Sequence, residues 1–73
     1  MNWIVRTKYW DGVPAHEVIH RSDLSSIEQG MYAPGVVKGM SINRAEMQRL
    51  ADTLNEQNEP APDNPFRTFK GVK

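Results

Sequence analysis

Asp11-Gly12, set between the runs NWIVRTKYW and VPAHEVIH, constrains this chain more than any other feature. Both central residues of a two-residue type I′ turn need φ > 0, which Asp-Gly supplies readily, and the flanking runs are rich in β-branched and aromatic residues. The pattern predicts a hairpin with strands at about 2–10 and 13–20. The short loop also fixes register, because the numbers of facing residues must sum to 23: Arg6 faces Glu17, Val5 faces Val18 and Ile4 faces Ile19. Trp3, Val5 and Tyr9 then share one face with Val18, while Ile4 and Trp10 share the other with Ile19 and Val13. One face is expected to meet a helix and the other a partner, with Trp3 and Tyr9 in the core and Trp10, beside the turn, exposed. Pro14 falls at a non-hydrogen-bonded pair with its nitrogen pointing away from the first strand, so the second strand must be an edge there.

Downstream, SDLSSIEQ at 22–29 places Leu24 and Ile27 at helical spacing after a capping serine or aspartate and before Gly30, which predicts one or two helical turns. Ala33-Pro34-Gly35 is a turn. VVKGMSI at 36–42 reads as a third strand, with Gly39 marking a bulge or a close approach. The helix signal is strongest at 44–57. Asn43 is a good N-cap, Glu46 completes a capping box, Ile42 and Met47 hold the hydrophobic-staple positions, and Met47, Leu50, Ala51 and Leu54 form one apolar stripe opposite Arg49 and Asp52. Pro60 and Pro62 stop the helix. The expected architecture is α+β: a small antiparallel sheet led by the N-terminal hairpin, one main C-terminal helix packed on it, a single domain at 1–57, and a flexible, disordered tail at 58–73 that is Pro-rich and then basic.

Size and charge narrow the function classes. Seventy-three residues with no cysteine allow no disulfide framework and no zinc ribbon, and a domain of about 60 residues buries only about 60% of the surface its unfolded chain exposes. No apolar run approaches the ~20 residues of a membrane span, and residues 1–10 carry no signal-peptide pattern, so a soluble, cytoplasmic monomer is expected. The formal net charge of zero argues against a bulk nucleic-acid coat. Resolved along the chain, it hides asymmetry. Residues 43–63 carry Arg44 and Arg49 against Glu46, Asp52, Glu56, Glu59 and Asp63, whereas residues 64–73 carry only Arg67, Lys70 and Lys73.

His16-Glu17-Val18-Ile19-His20 matches the H-E-x-x-H pattern of zinc proteases, which works only on a helix, where the two histidines lie one turn apart. On a strand they would stand roughly 13 Å apart. Pro14 could begin such a helix, and Glu46 is the available third ligand; the Asp-Gly turn and the valine and isoleucine content favour the strand. Serines 22, 25, 26 and 41 sit at cap or turn positions, and Gly30, Gly35 and Gly39 are spaced too widely to cradle a phosphate. No catalytic residue, metal or cofactor is therefore assigned. Trp3, Tyr9, Trp10 and Tyr32 lie beside Arg6, Lys8 and Lys38, the mixture that single-stranded nucleic acid or a protein hot spot requires. Phe66 and Phe69, among Arg67 and Lys70, have the look of a short linear anchor.

Two resemblances bear on function. GVVKGMSINRAEMQRLADTL, with Lys38-Gly39 and then Ser41 to Leu54, looks like the strand-to-helix end of the positive cofactor four family of single-stranded-DNA-binding coactivators. The whole chain, from MNWIVRTKYWDGVPAHE to PFRTFKGVK, resembles the small host-RNA-polymerase-binding transcription regulators of lytic Xanthomonas bacteriophages. The second resemblance implies a non-enzymatic protein of the infected bacterial cytoplasm. It would bind RNA polymerase at the β′ N-terminal segment and the β flap, inhibit sigma-dependent initiation, displace the sigma factor, and promote antitermination with NusA. On this reading Ile4, Arg6, Lys8 and Trp10 of the hairpin, with Arg67, Phe69 and Lys70 of the tail, form the partner-binding surface, and direct nucleic-acid binding stays open.

Overall fold

The hairpin forms in the expected register. The computed structural model describes residues 2–67. Strand β1 (Trp3–Trp10) pairs antiparallel with β2 (Val13–His20), with Trp10 opposite Val13, Arg6 opposite Glu17 and Trp3 opposite His20. Asp11 and Gly12 take φ of 50° and 80°, as the two-residue turn demands. A shorter third strand than expected, β3 (Gly39–Ser41), joins β2 opposite His16 to Val18, giving the sheet order β1-β2-β3. Pro14 lies beyond the reach of β3, so β2 is an edge where the proline needs it to be.

The helix α2 (Arg44–Glu56) covers one face of the sheet at the end away from the turn. Met47, Ala51 and Leu54 pack with Trp3 and Val18, and Val5 and Leu50 flank this core. Gly39 is a close approach: a Cβ there would sit 2.8 Å from Leu50 Cδ2 and 3.3 Å from Met47 Sδ. The Asn43 side chain accepts a hydrogen bond from Glu46 N (3.1 Å), which caps the first turn. The return half of the capping box is relayed instead. Asn43 N donates to Ser41 Oγ, which in turn donates to Glu46 Oε1. Ile42 remains 75% exposed, so the expected staple to Met47 is not made.

The opposite face carries a second core. A 3₁₀ turn at Arg21–Asp23 runs into α1 (Leu24–Glu28), and the chain from Ala33 to Val37 folds back beneath it. Ile19, Ile27 and Val36 are buried there, with Ile4, Leu24, Ala33 and Val37 packed around them. The far face of the sheet is thus covered by the chain itself at the Ile4–Ile19 end. Beyond that end, Trp10, Val13 and Met40 stay exposed.

The chain also stays with the fold past residue 57. Residues 59–67 run from the end of α2 back to the 3₁₀ turn, so this part of the expected free tail is held against the fold. Trp3 Nε1 donates to the Glu59 carbonyl (2.9 Å), and Asn64 is buried, its Nδ2 donating to Asp23 Oδ1 (3.0 Å) and Ser26 Oγ (3.1 Å). Arg67 closes the strap with Nε on Asp23 Oδ1 (2.7 Å) and Nη2 on Oδ2 (3.2 Å). It also donates to the Pro62 carbonyl. Polar latching therefore does what apolar residues do elsewhere in a fold, which is why a segment poor in hydrophobic groups is held. Among the described residues no helix is long and apolar enough to cross a membrane.

Candidate protein-docking surface

Strand alternation sends Ile4, Arg6, Lys8 and Trp10 to the face opposite α2, as their spacing requires. They do not share one fate. Ile4 belongs to the second core, which removes it from the exposed set. Arg6 Nη1 lies 2.9 Å from Glu17 Oε1 and Lys8 Nζ 3.7 Å from Glu17 Oε2, and Glu17 itself is 1% exposed. Such a carboxylate is tolerable only because cations close over it. Arg6 is thus first a structural residue, although part of its side chain remains exposed. Lys8 also places Nζ 4.6 Å from the Trp10 ring centroid, a cation–π contact that holds the indole outward.

The open part of this face is a continuous amphipathic strip. It runs from Trp10 and Val13, 58% and 52% exposed, through Lys8 and Arg6 to Met40, which faces Glu17 across the sheet and is 54% exposed. Large apolar side chains rimmed by cations are what a protein-docking surface offers. Met40 was missed in the sequence because its face depends on which strand β3 joins. Tyr9 was expected in the core but is 70% exposed. It does point to the α2 face, yet the core beneath that helix gathers around Trp3, Val5 and Val18, well short of the turn. Of the tail residues, Arg67 is engaged by Asp23, and Phe69 and Lys70 lie outside the described residues.

The histidine motif folds as strand β2, not helix. His16 and His20 point to the α2 face and Glu17 to the other, so the glutamate cannot serve a metal held by the two histidines. Each ring is otherwise engaged: Thr7 Oγ1 and His16 Nδ1 share a 2.8 Å hydrogen bond, and His20 Nδ1 accepts from Ser22 N (3.2 Å) at the start of the 3₁₀ turn. Among the described residues there is no pocket and no metal-holding cluster of three or more His, Cys, Asp or Glu groups.

Burial lowers the His20 pKa from its ordinary 6.5, with Asp23 opposing the shift and Arg67 and Arg21 adding to it. The Ser22 cap works in the same direction, since an accepting Nδ1 must be unprotonated. As pH falls through 6.5 the unfolded chain takes up this proton before the folded one does, so stability is lost on acidification. Thermal melts at pH 7.5 and 5.5 should show a drop in Tm, and that drop should be smaller in His20→Asn, which keeps a capping acceptor. Equal drops in the two proteins would assign the pH dependence to other groups.

Comparison with known proteins finds no matching family, no matching curated protein and no matching solved structure.

Proposed function

We propose that this chain is a phage-encoded, non-enzymatic regulator that docks bacterial RNA polymerase through the open strip of its hairpin, inhibits sigma-dependent initiation and promotes antitermination. The observation that carries the docking reading is the hairpin tip. Trp10, Val13 and Tyr9 are all more than half exposed on an otherwise well-packed domain, and Lys8 braces the Trp10 indole. Pre-positioned aromatic groups of this kind supply most of the energy at protein interfaces. Support for the polymerase as the partner comes from the resemblance of the whole sequence to the phage regulators. The β′ N-terminal segment and the β flap are the surfaces to test first, with NusA added for antitermination.

Trp10→Ala is the clean variant, because the side chain contributes nothing to either core. Arg6→Ala is not, since it would expose the buried Glu17 carboxylate to loss of its nearest cation. Truncating a central interface tryptophan costs about 2–4 kcal/mol, so affinity for core polymerase should fall roughly 30-fold or more while the amide spectrum of the free domain is retained. Unchanged capture of polymerase by Trp10→Ala would remove the hairpin tip from the interface. Salt-sensitive binding of single-stranded oligonucleotides, with no capture of polymerase, would favour a DNA-binding module of the positive cofactor four kind instead.

A further inference from the structure

The outer edge of β1 is half closed, and the manner of its closing says what the open half can take. In this register Trp10 and Val13 flank the turn as a hydrogen-bonded pair, so even-numbered residues of β1 direct N–H and C=O toward β2 and odd-numbered residues direct theirs outward. Two sets of contacts fit that parity. Arg21 N donates to the Asn2 carbonyl (2.7 Å) on the inner side. On the outer side, Trp3 N donates to Asn55 Oδ1 (2.8 Å) and Asn55 Nδ2 donates to the Trp3 carbonyl (3.0 Å), so the side-chain amide stands where the backbone of a neighbouring strand would stand. Beyond Trp3 this protection stops: among the described residues, the outward N–H groups of Val5, Thr7 and Tyr9 donate to no acceptor and their C=O groups accept from no donor.

We propose that the edge from Val5 to Tyr9 takes an extended segment of a partner polypeptide as a fourth strand, with acidic side chains at alternate positions of that segment. The proposal rests on the reading of the hairpin as the docking surface and names the form of the partner. Charge selects the occupant. Arg6 and Lys8 share one carboxylate, Glu17, which leaves the far face with an excess positive charge beside the edge. In an added strand the residues opposite Arg6 and Lys8 fall at non-hydrogen-bonded pairs, where Cα atoms approach to about 4.5 Å and side chains meet most closely. Carboxylates there meet cations, while β-branched residues at the intervening positions meet Val5, Thr7 and Tyr9. A second copy of this chain fits poorly. Antiparallel pairing about Thr7 would set Arg6 of each copy against Lys8 of the other, and like charges directly opposite are destabilising.

The test uses the intact chain and the peptide acetyl-(Glu-Val)₃-amide, with its Lys-Val analogue as the control. With saturating Glu-Val peptide, exchange of the Val5, Thr7 and Tyr9 amides should slow by about tenfold, while the inward amides of Arg6 and Lys8 change little. Thr7→Pro, which deletes an outward donor, should abolish the protection; Thr7→Val, which equally loses the contact with His16, should keep it. No protection, or equal protection by the Lys-Val peptide, overturns the proposal. Protection that grows with protein concentration in the absence of peptide assigns the edge to a second copy and also overturns it. If Thr7→Pro fails to fold, exchange in the wild-type chain still decides. No polymerase is present in this experiment, so peptide binding without polymerase capture removes the partner and keeps the edge, whereas the reverse result removes the edge and keeps the partner.

Discussion

Trp3→Ala should abolish cooperative folding or lower Tm by at least about 15 °C. Trp3 is 2% exposed and links three parts of the molecule: its indole packs with Val18, Met47, Ala51 and Leu54, meets His20 edge-on at 5.1 Å between ring centroids, and donates to the Glu59 carbonyl. Large-to-small substitution of a buried tryptophan costs about 3–5 kcal/mol before the orphaned carbonyl is counted. At about 0.05–0.15 kcal/mol per residue a domain of this size holds only roughly 4–10 kcal/mol in all. The substitution therefore removes most of the reserve. Differential scanning calorimetry measures it directly, and a Tm drop under about 5 °C would show that the two cores stand without this side chain. Trp3→Phe, which keeps a ring and loses the Nε1 donor, should cost about 1–2 kcal/mol.

Asp23→Asn should cost about 2–3 kcal/mol and release the strap at 59–67. The carboxylate is fully buried and receives Asn64 and the two nitrogens of Arg67. Breaking a fully buried pair costs about 3–5 kcal/mol; the lower figure applies here because the Arg67 side chain keeps 29% of its exposure. The hydrogen bond to Asp23 raises the Arg67 pKa above its ordinary value, so the arginine stays charged at every working pH. Urea denaturation should report the loss of stability, and limited proteolysis should report new cleavage after Asn58. Proteolysis unchanged from wild type would mean that Asn64 and the prolines hold the strap unaided.

Much of the sheet was legible because a two-residue turn leaves no freedom: once Asp11 and Gly12 are placed, every partner from Trp10–Val13 to Trp3–His20 follows. The α2 stripe was legible because one face of a helix repeats locally. What failed depended on distances along elements or across the chain. Tyr9 has the parity of a core residue, but parity does not say how far the helix extends over the sheet. Ile4 has the parity of the open face, but the chain from Arg21 to Val37 doubles back onto it. The strap was unreadable for a different reason. Its anchors, Asn64 and Arg67, are 41 and 44 residues from Asp23, and a polar latch leaves no hydrophobic period to detect.

In the docking surface, Trp10 and Lys8 were legible from the turn and from alternation. Arg6 was placed correctly in space and more narrowly in role, since Glu17 has first claim on it. The unpaired edge was not legible at all, because nothing in the local sequence around Asn55 signals that its amide will dress Trp3.

The burial of Ala15 through Ile19 as five consecutive residues has a consequence for how the sheet finds its alignment. A strand wetted on one side is kept in step by its hydrophobic alternation, but over these five residues β2 is dry on both sides and loses that guide. Glu17 restores it. Were β2 to slide by one residue, the carboxylate would turn beneath Met47 and Leu54 with neither Arg6 nor Lys8 to meet it, and an unpaired charge there costs more than any apolar contact the slide could recover. One acidic side chain thus holds the hairpin to a single alignment, because only that alignment sets its charge against Arg6 and Lys8.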